Sequence, residues 1–201
     1  MRVRATRRLA GRLLVALIVA LVVALAGPRF VSAPAPTAAR KPPSAGVPVE
    51  APARSGTVTR VYDGDTIEVS GVGKVRLIGI DAPDGYNLER ALSQAHLYGL
   101  EVEQVKAWAD RATEFARQTL AGQAVALHYG EERKDGFDRT LAYVHVESRQ
   151  GDEDFSLLIL RQGLAAAYRG FDHPRRDLYL QAEAKAKAAR AGMWKDAVIQ
   201  P

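Results

Sequence analysis

Four places in the chain concentrate charge where a purely structural role would not require it. Asp63 and Asp65 share the turn-forming run Asp63-Gly64-Asp65. Arg76 interrupts the otherwise apolar stretch Val75–Ile80. Asp81 and Asp84 flank Ala82-Pro83, and Arg139 stands just ahead of the apolar stretch Leu141–Val146. Carboxylates gathered close together make a hard-oxygen site suited to calcium or magnesium. Two guanidiniums match phosphate oxygens in a bidentate fork and stabilise charge that develops on phosphorus. A further carboxylate beside them can act as general base toward water. Together these parts suffice for metal-assisted hydrolysis of a phosphodiester. Each also has a plainer reading: Asp-Gly-Asp as a turn, a mid-strand arginine on the solvent face, Asp-Ala-Pro-Asp as a loop. The spacing permits the site without establishing it. His96, His128, His145 and His173 show no metal-ligand spacing, and Trp108 and Trp194 are expected in the core.

These residues need strands and helices to bring them together. Thr57–Tyr62 alternates and is β-branched, Thr66–Val69 follows the Asp-Gly-Asp turn, and Lys74–Ile80 makes a third strand after Gly71-Val72-Gly73. Pro83 keeps Ala82 out of helical backbone. Arg76 and Asp81 are an odd number of positions apart, so a regular strand would put them on opposite faces. They converge only if Asp81 lies beyond the end of that strand. Leu88–Leu120 is helix-forming, with Gly99 as a break and Val105, Trp108, Ala112, Phe115 and Thr119 on one face. Gln123–His128 and Arg139–Val146 are further strands. Phe155–Gln162 is a short helix ending at Gly163, and Asp172–Ala191 a longer one ending at Gly192. Five strands and three helices in this order describe an α+β body consistent with a small barrel carrying helices.

The rest of the 201 residues bounds the setting. There is no cysteine, which excludes disulfides, thiolate metal sites, cysteine nucleophiles and lipoprotein acylation. The net charge of +5 belongs to the first 55 residues, which hold nine basic residues and one acid, Glu50. The remainder has 19 basic and 22 acidic residues, a net of −3. Binding of polyanions by the body therefore depends on a local arrangement of arginine and lysine. Arg2, Arg4, Arg7, Arg8 and Arg12 precede the 14-residue apolar run Leu13–Ala26, the pattern of a secretory signal. The run is short against the ~20 residues of a spanning helix. Residues 1–33 are read as a signal peptide or an uncleaved signal-anchor, and both readings place the body outside the cytoplasm. Residues 34–55, rich in proline and alanine with no aromatic, are expected to be a disordered linker. Residues 56–195 form the body and 196–201 a tail.

Val61–Thr66 (VYDGDT), Val75–Pro83 (VRLIGIDAP) and Asp138–Tyr143 (DRTLAY), in that order, resemble the staphylococcal-nuclease-like (thermonuclease) family. Leu160–Ala165 and Ala186–Trp194 are similar to the same family's last two helices, so the resemblance covers residues 56–195. It implies a five-stranded OB-fold barrel packed with helices, and a calcium-dependent endonuclease acting on DNA and RNA as a monomer, leaving 3′-phosphate ends. By that resemblance Asp65, Asp81 and the Ala82 carbonyl hold the calcium ion, and Asp63 acts through the ion's waters. Arg76 and Arg139 are the catalytic arginines, and Asp84 stands where the family has its glutamate general base. Three departures are visible. Asp84 is one methylene shorter than glutamate. Gly136 and Phe137 replace a lysine and a tyrosine that touch a terminal phosphate in the prototype. The segment from Asp84 to Asp110 is longer and more helical, which suits a lid or a partner surface. The alternative reading is a catalytically weak domain that binds nucleic acid or a protein partner through the same barrel.

Overall fold

The computed structural model describes residues 54–148 and 151–198. The leader, its apolar run and most of the expected linker lie outside them. Among the described residues no helix is long and apolar enough to cross a membrane.

Strand β1 (Arg54–Val61) pairs antiparallel with β2 (Thr66–Val69), which pairs antiparallel with β3 (Gly73–Leu77). On its other edge β1 takes β5 (Ala124–Lys134), which forms a hairpin with β6 (Thr140–Ser148). The parallel pairing of β3 with β6, from Val75 opposite Thr140 to Leu77 opposite Ala142, closes the ring. The result is a five-stranded barrel, the closure that removes exposed sheet edges. Strand β7 (Gly151–Asp154) continues along β6 where β3 leaves it. A separate two-stranded ribbon joins β4 (Ile80–Asp81) to β8 (Ala166–Ala167). Alternation along the strands supplies the interior: Val58, Ile67, Val69, Val75, Leu77, Val125, Leu127, Val144 and Val146 are all buried.

Four helices cover the barrel: α1 (Leu88–Tyr98), α2 (Val102–Leu120), α3 (Phe155–Arg161) and α4 (Arg176–Ala188). The expected break at Gly99 is where α1 ends. Its φ of 67° is left-handed backbone that glycine adopts freely, and its N–H caps the Ala95 carbonyl. Helix α2 buries Val105, Trp108 and Ala112 as the spacing predicts, together with Ala109, Thr113, Ala116 and Leu120. Phe115 is half-buried and stacks on Phe155, with ring centroids 5.9 Å apart. Gly163 follows α3 at φ 67°, and a Cβ there would stand 2.2 Å from the Ala191 carbonyl oxygen. The two chain segments can meet only because that position has no side chain.

Several boundaries differ from the sequence expectation, each for a local reason. Arg54 and Ser55, assigned to the linker, pair with Leu127 and Ala126 and begin β1. The expected strand Lys74–Ile80 stops at Leu77, turns through Gly79 at φ 78°, and resumes as β4. The last long helix begins at Arg176 instead of Asp172, because Pro174 pushes His173 out of helical backbone. It ends through Arg190 at φ 50°, and Gly192 opens a 3₁₀ turn, Gly192–Lys195, instead of capping the helix. The tail begins by packing: Asp196 accepts the Trp108 indole N–H at 2.9 Å, and the Val198 N–H donates to the Gly99 carbonyl at 2.8 Å. Trp108 and Trp194 are core residues, as expected.

Candidate functional site

The Asp-Gly-Asp run is a turn with a second purpose. The Asp63 carboxylate accepts the Asp65 N–H at 2.9 Å, and the Tyr62 N–H donates to the Thr66 carbonyl at 2.9 Å. This places Asp65 at the head of β2, where it is buried. Its Oδ2 accepts the Ala82 N–H at 2.6 Å, and its Oδ1 accepts the Thr66 hydroxyl at 3.1 Å and pairs with Arg76. Arg76 also donates to the Ile80 carbonyl at 3.1 Å and reaches Asp81 at 3.4 Å. The parity problem of Arg76 and Asp81 is solved by the β3–β4 break, which moves Asp81 off the regular strand and back beside the arginine. Burial lowers the Arg76 pKa, with Asp81 and Asp63 opposing the shift, and burial raises that of Asp63 against the pull of Arg76.

Arg139 stands at the foot of β6. Asp135 ends the β5 side of the hairpin loop and accepts the N–H groups of Phe137 (2.9 Å) and Arg139 (3.0 Å). Its other oxygen takes the Arg139 guanidinium at 2.7 Å from Nε and 2.6 Å from Nη2. Burial pushes the Asp135 carboxyl up, but the two backbone donors and the guanidinium outweigh it and hold the pKa below its ordinary value. Asp135 thus shapes the loop and aims the arginine, a role no sequence signal marked.

Asp63, Asp65, Arg76, Ala82, Asp84 and Arg139 line one cleft of about 630 Å³, Lys74 and Arg90 also line it, and the buried Asp81 does not. A second cleft of about 650 Å³ shares Asp63, Lys74, Tyr86 and Arg139 with the first and adds Arg60, Tyr62 and Arg117. Arg60 and Lys74 lie over the Tyr62 ring, 4.6 and 4.2 Å from its centroid. Tyr86 and Phe137, 86% and 84% exposed, present their rings at the cleft, and the Arg139 guanidinium lies over one face of Phe137, 5.4 Å from its centroid. Although the body is acidic in sum, cations and free aromatic faces are concentrated here, the combination that grips a nucleic-acid backbone and stacks bases.

The segment after Asp84 contributes more than its sequence suggested. One Asp84 oxygen accepts the Tyr86 and Asn87 N–H groups at 2.8 and 2.9 Å, and the other faces the Arg90 Nε at 3.5 Å. Asp84 therefore shapes the entry to α1 as well as lining the cleft. From α1, Arg90 pairs with Asp81, and Tyr98 donates its hydroxyl to the other Asp81 oxygen. The buried Gln94 amide donates to Asp81 at 2.8 Å and to the Ala82 carbonyl at 2.9 Å, and accepts the Asp84 N–H at 2.7 Å. Arg90, Gln94 and Tyr98 were not identified from the sequence. The signal available was their spacing of four residues, which puts three hydrogen-bonding side chains on one helix face.

The donor chemistry at this point suits a hard divalent cation. The Asp81 carboxylate and the Ala82 carbonyl converge on one amide donor, and Arg76 draws Asp65 to Asp81. Among the described residues no group of three or more His, Asp or Glu gathers around a single ion position. The set is two carboxylates and a carbonyl.

A staphylococcal nuclease homologue profile matches residues 74–196. A thermonuclease of Staphylococcus intermedius is 33% identical over 145 residues, 69% of this chain and 74% of that protein. An uncharacterised protein of Methanocaldococcus jannaschii is 31% identical over 147 residues, 69% of this chain and 70% of that protein. An uncharacterised endonuclease of Haemophilus influenzae is 29% identical over 143 residues, 69% of this chain and 65% of that protein. With a closed barrel that brings Arg76 and Arg139 to one cleft with Asp63, Asp65 and Asp84, the chain belongs to the staphylococcal nuclease homologue family of nucleases.

Proposed function

We propose that this chain is a calcium-dependent endonuclease that hydrolyses DNA and RNA, acting outside the cytoplasm after export or on an N-terminal tether. The observation that carries the reading is the shared cleft of Arg76 and Arg139, two guanidiniums held by separate parts of the fold, the first of them paired with both Asp65 and Asp81. The arginine-rich leader and the apolar run Leu13–Ala26 support the export part.

The cleft residues take separate roles. Arg76 and Arg139 grip non-bridging oxygens of the scissile phosphate and stabilise the extra charge of the five-coordinate transition state. Both are held in place before substrate arrives, Arg76 by Asp65 and the Ile80 carbonyl, Arg139 by Asp135. Asp84 orients a water and takes its proton through the oxygen not committed to the Tyr86 and Asn87 N–H groups. The water oxygen bonds to phosphorus as the bond from phosphorus to the 5′ oxygen breaks, and that oxygen takes a proton from solvent, leaving a 3′-phosphate and a 5′-hydroxyl. Asp65, Asp81 and the Ala82 carbonyl would hold calcium, whose charge polarises the phosphoryl group when bound. Arg60, Lys74 and Arg117 carry the flanking backbone, and Tyr86 and Phe137 offer faces to unstacked bases.

The alternative, a weakly catalytic binding domain, draws its support from Asp84, whose short side chain is partly spent on the α1 entry. Incubating the full-length protein with calcium and end-labelled single-stranded DNA and RNA separates the two. The nuclease reading expects internal cuts whose new ends are 3′-phosphates, removable by a 3′-phosphatase. Retention of both oligonucleotides in a gel-shift assay with no cleavage would leave the binding domain.

A further inference from the structure

Helix α1 places Arg90, Gln94 and Tyr98 one turn apart on a single face, and all three reach Asp81. They differ in depth. The Arg90 side chain is 45% exposed, whereas Gln94 and Tyr98 are buried. They also differ in charge. Gln94 and Tyr98 are neutral donors, whereas Arg90 carries a full positive charge. A carboxylate or carbonyl oxygen has two lone-pair sites. Gln94 and Tyr98 both donate to Asp81 Oδ2 and fill it, so the carboxylate offers an ion its Oδ1, the oxygen that Arg90 occupies, while the Ala82 carbonyl, with Gln94 as its one side-chain donor, keeps acceptor capacity.

Arg90 is different in kind. Its ion pairs are with Asp84, which lines the cleft, and with the buried Asp81. Arg76, the other cation on Asp81, is buried, tied to Asp65 and to the Ile80 carbonyl, and not free to leave. Arg90 projects from the first turn of α1 onto the cleft wall, where its guanidinium can swing toward water without disturbing the helix.

We propose that Arg90 is a built-in counter-ion of Asp81 that a divalent cation displaces on binding, while Gln94 and Tyr98 hold the Asp81 carboxylate and the Ala82 carbonyl in position for that cation. The inference rests on the calcium reading of the same site. Without metal, Arg90 screens the repulsion among Asp63, Asp65, Asp81 and Asp84. With metal, the doubly charged ion does so at closer range, and the guanidinium moves off Asp81. The ion's apparent affinity is then lower than the acid pair alone would give, because every binding event breaks the Arg90 pair. Gln94 and Tyr98 are positioning residues: they act on the ion through the oxygens they orient.

Calorimetric titration of calcium into the full-length protein tests this, with melting temperatures recorded in chelator and in saturating calcium. Arg90→Gln is expected to bind calcium about tenfold more tightly and to melt lower than wild type in chelator, so that calcium raises its melting temperature more. Arg90→Lys keeps the charge and should stay near wild type. Tyr98→Phe removes an orienting donor and should weaken binding severalfold. Equal or weaker calcium affinity in Arg90→Gln, with wild-type protein binding the ion normally, would overturn the counter-ion role and leave the calcium reading standing. No calcium binding by wild type or Arg90→Gln would overturn both.

Discussion

Alanine at Arg139 will lower kcat by about 10²–10³-fold, the loss of ~2.7–4 kcal/mol that follows removal of one preorganised transition-state donor, and will leave the melting temperature close to wild type. The asymmetry comes from where Arg139 sits. Its guanidinium is on the cleft wall, held by Asp135, whose other oxygen still closes the hairpin loop through the N–H groups of residues 137 and 139. Arg139→Lys should not restore the rate, because an ammonium lacks the planar fork that meets two phosphate oxygens. Arg76→Ala will lose a similar factor in kcat and will also unfold more easily. Removing it leaves Asp65 and Asp81 facing each other without the cation that joins them, and breaking a buried pair from one side costs about 3–5 kcal/mol. Steady-state kinetics beside thermal melts of both variants check the pair. A loss of less than threefold in Arg139→Ala would remove that guanidinium from the catalytic account.

The second large effect lies among buried charges that line neither cleft. Asp154 caps α3 through the Ser156 N–H at 2.9 Å and accepts the Tyr179 hydroxyl at 2.7 Å and the Arg175 guanidinium at 2.6 Å. Arg175 also donates to His145 Nε2 at 2.7 Å, which leaves the His145 proton on Nδ1, facing Asp152 at 2.8 Å. The guanidinium lies over the Tyr143 ring, 4.2 Å from its centroid. Arg175→Met keeps much of the volume and strands the buried Asp154 charge, so it should destabilise the fold by about 3–5 kcal/mol. Urea unfolding followed by tryptophan fluorescence measures this, since Trp108 and Trp194 are both buried. A change under about 1 kcal/mol, the scale of an exposed pair, would mean that the network contributes little. Nuclease activity of the folded protein should be unaffected, because none of these residues lines either cleft.

The sequence carried the fold wherever side-chain alternation was strong. The strands built on Thr57–Tyr62, Thr66–Val69 and Val75–Leu77 are β-branched or apolar on their buried face, and the helix break at Gly99 follows from a residue suited to left-handed backbone. Strands β7 and β8 were not legible. Gly151–Asp154 is a polar run with no apolar period, and Ala166–Ala167 is two residues that pair only because β4 lies beside them. The site was legible as a set of types, four acids and two arginines, but not as a geometry. Odd spacing argued against Arg76 and Asp81 meeting, and only the turn at Ile78-Gly79 brings them together. The α1 face escaped notice because Arg90, Gln94 and Tyr98 read as ordinary polar positions of a surface helix. Their significance depends on Asp81 standing opposite, and no local pattern records that.

Cleavage of a fluorescent single-stranded DNA by the full-length protein, followed in calcium, after chelation and after calcium is restored, tests the central claim most directly. The account predicts cleavage with calcium, its loss in chelator and its return on re-addition, with Arg139→Ala nearly inactive throughout. Wild-type cleavage that is unchanged by the chelator, or absent with calcium present, would contradict it.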